Sequence, residues 1–112
     1  MPEGPFFRID KFIVPAESRH RFTERLKLTH EALDSAPGCE QNLILEQIEG
    51  PGRFNLVTFV RWRDRTCYEA ARKAAQKRQN AAGFNPSAFM EELGVVADLG
   101  NYADLDRVIA AS

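Results

Sequence analysis

The segment Phe54-Asn55-Leu56-Val57-Thr58-Phe59-Val60-Arg61-Trp62-Arg63-Asp64 leads straight into an alanine-rich run, Arg65–Ala82, and the two together organise the rest of the chain. The first part alternates as a strand does, with Phe54, Leu56, Thr58, Val60 and Trp62 on one face. Asn55, Val57, Phe59, Arg61 and Arg63 take the other. Asp64 then stands where it can cap a helix. A strand that ends in Trp beside a helix lined by Ala leaves room for a flat organic molecule.

Working outward, Phe6–Val14 reads as a first strand stopped by Pro15. Ala16–Ala36 follows as a helix with Phe22, Leu26, Thr29 and Leu33 on one stripe. Pro37-Gly38 ends it. Cys39–Glu49 reads as a second strand, and Gly50-Pro51-Gly52-Arg53 turns it back into the third as an antiparallel hairpin. After the second helix, Arg65–Ala82, Gly83 closes. Asn85-Pro86 opens a short third helix that runs to Leu93 and stops at Gly94. Val95–Tyr102 is a last strand. The tail from Ala103 carries Leu105, Val108 and Ile109, enough to dock.

The order β-α-β-β-α-(α)-β over residues 1–112, with no repeat or linker, predicts one α+β domain. It is the ferredoxin-like split βαβ arrangement, an antiparallel sheet with helices on one face. Strand three is apolar on both faces, so the open face needs a cover, and a second copy supplies it. A homodimer packed sheet to sheet is expected.

Bulk properties narrow the function classes. At 112 residues the chain has room for one core. The formal net charge of −1 gives no general attraction to nucleic acid or an anionic membrane. The cluster Arg72, Lys73, Lys77 and Arg78, offset by Glu69, reads as a solvated helix face. Cys39 and Cys67 form no metal-spaced set. Without a signal-like start or a long apolar run, a cytoplasmic location with reduced thiols is expected. There is no Gly-rich phosphate loop and no His or Cys cluster with ligand spacing, so no cofactor and no metal is expected.

The chain resembles the antibiotic biosynthesis monooxygenase domain family, whose members form dimeric α+β barrels. The resemblance rests on Pro15, on the Pro37-Gly38 turn, and above all on Phe59-Val60-Arg61-Trp62-Arg63-Asp64, where Trp precedes a capping Asp by two positions. It spans roughly Phe6 to Tyr102. The family's haem-degrading branch carries an Asn on strand one and a His late in the second helix. This chain has Arg8 and Asp10 on strand one and no histidine after His30, so haem is not implied. The branch that oxidises polyketide aromatics carries an Asn before the Trp and a Tyr early in the helix. Trp62 and Tyr68 match it, and Thr58 stands in place of the Asn.

What the resemblance implies is a cofactor-free monooxygenase or related enzyme acting on an aromatic or enolic small molecule. The residues then take roles. His30, flanking the first helix stripe, is the candidate base, because imidazole is the side chain suited to proton transfer near neutrality. Arg78, in the sector shared by Cys67, Ala71, Ala74 and Ala81, is the candidate anion clamp. Tyr68 is a hydrogen-bond donor. Trp62, Thr58, Ala71 and Ala74 line the pocket.

Each has a plainer reading. Trp62 serves as a core anchor, Arg78 snorkels to solvent, Tyr68 packs its ring at an edge, and His30 is a half-buried residue bonded to a carbonyl. Arg8 and Asp10 share a strand face, and an Asp10–arginine pair within or between subunits accounts for them. His20 falls on the opposite helix face, toward water. A non-catalytic dimeric ligand-binding protein is the alternative function.

Overall fold

The computed structural model describes residues 4–107. Strand β1 (Phe6–Ile13) is followed by a single 3₁₀ turn and helix α1 (Arg19–Asp34). Then come β2 (Cys39–Glu46), β3 (Leu56–Trp62), α2 (Arg65–Ala82), α3 (Pro86–Leu93) and β4 (Val96–Tyr102). The four strands form one antiparallel sheet in the order β2-β3-β1-β4, with the helices on one face. This is the ferredoxin-like α+β arrangement.

Local chemistry accounts for the boundaries. Pro15 lacks the N–H that a helix interior needs, and the tight turn Ala16–Ser18 absorbs it, so α1 starts three residues later than expected. Asp64 is extended, and its carboxylate accepts from the Cys67 N–H at 2.8 Å. Asn85 caps α3 in the same way, from Ala88 N–H at 3.1 Å, with Pro86 in the first turn. Gly38 adopts φ +80°, and a Cβ there would lie 2.4 Å from Cys67 Sγ. The start of α2 can therefore press onto this turn only because residue 38 has no side chain.

Both hairpin strands are shorter than expected. The Gln47 side chain holds the connecting loop by donating to the carbonyls of Gly50 and Gly52, at 3.2 and 2.9 Å. The Asn55 side chain pairs with Val14 in both directions at 2.9 Å, accepting from its N–H and donating to its carbonyl. A side-chain amide thus replaces the next rung of the β1–β3 ladder.

Cross-strand partners define the two faces. Phe6, Arg8, Asp10 and Phe12 lie opposite Trp62, Val60, Thr58 and Leu56 on the helix side. Two apolar clusters form there. One joins Phe12, Val14, Phe22, Leu56, Leu93 and Val95 under α1 and α3. The other joins Phe6, Val60, Trp62, Cys67 and Tyr68 under the start of α2. Polar Arg8, Asp10 and Thr58 occupy the rows between them. The opposite face carries Phe7, Ile9, Val57, Phe59, Leu43 and Leu45, and α1, α2 and α3 lie on the other side. In the tail Leu105 is exposed rather than docked, while Val108 and Ile109 lie outside the described residues.

Helix orientation departs from the sequence expectation in two places. On α1 the buried line is Phe22, Leu26, His30 and Leu33; Thr29 is exposed, and its hydroxyl bonds back to Arg25 carbonyl at 3.1 Å. On α2 the covered residues are Cys67, Tyr68, Ala71, Ala75 and Gln79, while Ala74, Arg78 and Ala81 are exposed. The helix is turned by roughly 70° from an alanine-centred stripe, at 100° per residue. Tyr68 decides this, because one buried aromatic ring removes far more apolar area from water than several methyl groups do.

Candidate functional site

Between the two apolar clusters, α1, α3 and the end of α2 stand off the sheet and leave a cavity of about 290 Å³. Its walls are Phe12, Phe22, Leu26, Phe84, Phe89, Met90 and Leu99. Arg8, Asp10, Arg25, His30, Thr58 and Gln79 bring polar atoms to it. Aromatic walls with a few convergent polar groups are the usual form of a small-molecule site.

Arg8 organises the floor. Its Nε donates to Asp10 Oδ1 at 2.7 Å, and its Nη1 donates to the Tyr68 hydroxyl and to Asn101 Oδ1, each at 3.0 Å. Arg8 and Asp10 do pair within the chain, but on the helix-covered face rather than on a wet or dimer face. Their strand parity is that of Phe6 and Phe12, both buried. Burial raises the Asp10 carboxyl above its ordinary value; Arg8, a backbone hydrogen bond from Gly100 and nearby His30 oppose the rise. Because the Tyr68 oxygen accepts from Arg8, its own proton remains to be donated.

His30 is 8% exposed and reaches the cavity from α1. Its Nδ1 bonds to Asn42 Oδ1. The Asn42 amide in turn donates to His30 carbonyl at 2.7 Å and to Asp34 Oδ1 at 3.0 Å.

Arg25 lines the same cavity from α1. Its guanidinium carbon lies 3.5 Å from the centre of the Phe84 ring, a close cation–π contact. Its Nε is buried and has no hydrogen-bond partner among the described residues.

The structure therefore gathers His30 and Thr58 into one cavity and ties Tyr68 to it through Arg8. It does not bring the other expected residues there. Trp62 is 2% exposed, packed in the cluster under the start of α2, edge-on to Tyr68 with ring centres 6.3 Å apart. Ala71, Ala74 and Arg78 face a separate groove between α1 and α2, of about 390 Å³, with Ala32, Ala36 and Ala70 also in its lining. That groove holds no carboxylate or imidazole, and Arg78 is exposed at it. The expected cavity shared by Arg78, Trp62 and Thr58 is not formed, since the turn of α2 toward Tyr68 carries Arg78 to the flank.

Sequence reading missed Arg25, Arg8, Asp10 and Asn42 as site residues. Arg8 and Asp10 carried a signal, sitting between Phe6 and Phe12 in the same parity. Arg25 carried a weaker one, three residues after Phe22 on the α1 stripe. Among the described residues no group of three or more His, Cys, Asp or Glu is placed to hold a metal ion. None of the described helices is long and apolar enough to cross a membrane.

A four-stranded antiparallel sheet with a pocket beneath its helices defines the class, and sequence comparison supplies the family. The family model for antibiotic biosynthesis monooxygenase matches residues 5–82. The chain belongs to this family, and the match takes in β1 to β3 and both long helices. No match was found among curated proteins.

Solved structures share the fold at low identity. A protein of Shewanella loihica, proposed to be a monooxygenase, is 19% identical over 94% of this chain and 98% of its own, with a TM-score of 0.69. Rv0793 of Mycobacterium tuberculosis is 19% identical over 92% and 97%, at 0.64. SnoaB, a cofactor-independent oxygenase of Streptomyces nogalater, is 18% identical over 90% and 93%, at 0.64.

Proposed function

We propose that this protein is a cofactor-independent monooxygenase of flat phenols or enols bearing an activated methylene group. The observation that carries the reading is a buried imidazole, His30, and a guanidinium, Arg25, that line one aromatic-walled cavity. Family membership supports the reaction class.

His30 takes a proton from the acidic C–H or O–H, giving a delocalised anion. Arg25 and Arg8, both lining the cavity, face that charge, and Tyr68 holds Arg8 from behind through its hydroxyl. The aromatic walls keep water from the anion. The anion passes one electron to dioxygen, and the resulting radical pair closes a C–O bond to form a peroxide. Breaking the O–O bond with loss of the remaining C–H proton turns the methylene into a carbonyl and releases water. The four electrons that dioxygen consumes all come from the substrate carbon, so no outside reductant is needed.

Oxygen uptake with a panel of polycyclic phenols tests this. Labelled dioxygen should deliver one atom to product and one to water. Saturable binding without uptake would favour the non-catalytic ligand-binding reading, and neither binding nor uptake would remove the cavity from consideration. Arg25→Ala should weaken binding of a phenolate ligand by about 10- to 150-fold, the loss of a charge-assisted hydrogen bond of roughly 1.5–3 kcal/mol. A change under threefold would show that the anion lies elsewhere.

The same proposal includes a homodimer formed through the uncovered sheet face, where Phe59 and Val57 sit opposite Leu43 and Leu45. Light scattering at micromolar concentration should return about twice the 12.7 kDa chain mass. Phe59→Asp should bring it down to a single chain, because a carboxylate at the centre of such an interface is buried without a partner. A wild-type monomer would refute the assembly.

A further inference from the structure

We propose that Asn42, anchored by Asp34, is a positioning residue that holds the His30 ring with its proton on Nδ1. The Nε2 lone pair is then the one presented to the cavity. This rests on the reading of His30 as the base.

The proton assignment follows from what each atom can accept. Asn42 Nδ2 lies 2.7 Å from His30 carbonyl oxygen and 3.0 Å from Asp34 Oδ1. A carbonyl and an ionised carboxylate only accept, so the atom between them must be the amide NH₂. That removes the usual ambiguity between amide oxygen and nitrogen. Oδ1 of Asn42 is then the atom facing His30 Nδ1, and an amide oxygen only accepts, so Nδ1 must carry a hydrogen. In the neutral ring Nε2 has none. After Nε2 takes a proton, the Nδ1–H to Asn42 bond is kept, and no side chain has to move.

Two features of the backbone bring the three residues together. His30 and Asp34 are one helical turn apart on α1, so both reach the same strand. On β2 the register slips between Cys39, opposite Trp62, and Gln41, opposite Arg61. This bulge inserts one residue and exchanges the two faces of everything after it. Without it Asn42 would lie opposite Phe59, on the face away from the helices. With it Asn42 lies opposite Val60, under α1.

The tautomer can be read without any substrate. Nitrogen-15 labelled protein contains two histidines, His30 and the exposed His20, which serves as the internal reference. Long-range proton–nitrogen correlation at a pH where the rings are neutral should show His30 with a protonated Nδ1 and a lone-pair Nε2. Asn42→Ala should release it toward the Nε2–H form. A wild-type ring already in that form, or an unchanged ring in Asn42→Ala, would overturn the proposal. Should Asn42→Ala fail to fold, the wild-type spectrum still decides the first point. Asp34→Ala, an exposed change at the end of α1, should also lower the Nδ1–H population, and no effect would remove Asp34 from the arrangement.

With an active wild type, Asn42→Ala should cut kcat by about 100-fold, within the range of general-base contributions. KM should stay within about twofold, since Asn42 does not touch the ligand. A retained tautomer with no turnover of any substrate would sink the oxygenase reading and leave the positioning role standing.

Discussion

Replacing Trp62 by Ala should destabilise the fold by about 3–5 kcal/mol, read as a fall in the urea midpoint at constant slope. The indole is 2% exposed and packs with Phe6, Val60, Cys67 and Tyr68. Few atoms nearby can collapse into the space, because Gly38 and Cys67 already touch across the turn at that end. For a domain of this size the loss is a large share of total stability. Trp62→Phe should cost far less, about 1–2 kcal/mol, since the indole Nε1 has no hydrogen-bond partner among the described residues and its removal deletes an unsatisfied donor. Wild-type stability in the Ala variant, with ligand affinity lost instead, would return Trp62 to the pocket.

His30→Gln should lower kcat by about 10²- to 10⁴-fold while leaving ligand binding within a few-fold. Glutamine can keep a bond to Asn42 but offers no basic nitrogen. Arg25 and the aromatic walls remain, so the ground-state complex survives. The nearest competitor for the role is Asp10, which sits in the same cavity with its carboxyl raised by burial. It is already committed to Arg8 Nε at 2.7 Å. If His30→Gln retains more than a tenth of the activity and Asp10→Asn abolishes it, the base has been misassigned.

The element order and both ends of α2 and α3 could be read from short-range signals. Asp64 before Arg65–Ala82, Asn85-Pro86 before α3 and the glycines at 83 and 94 act through the backbone groups of their own neighbours. Alternation along β3 gave its inner face as Leu56, Thr58, Val60 and Trp62, all four of which are buried. The family resemblance was legible for the same reason, because the Trp62–Asp64 pattern is local.

The site was less legible, because its members meet only through the tertiary fold. Arg8 and Asp10 look like surface residues until the parity of β1 is fixed against β3 and β4 on both sides. Asn42 reaches the helices only because the strand bulges after Cys39, which depends on pairing with Trp62 and Arg61. The alanine spacing places Arg78 and Ala74 toward the sheet, whereas the rotation of α2 is set by the buried area of Tyr68.

Sequence by itself determined the α+β fold, the capped helices and the two apolar faces of β3, since propensity, capping and period act over a few residues. Which polar groups share the cavity was decided by tertiary structure alone. A helix can turn by tens of degrees, and a strand can slip by one residue, at little local cost. Only packing against the rest of the molecule selects between those states.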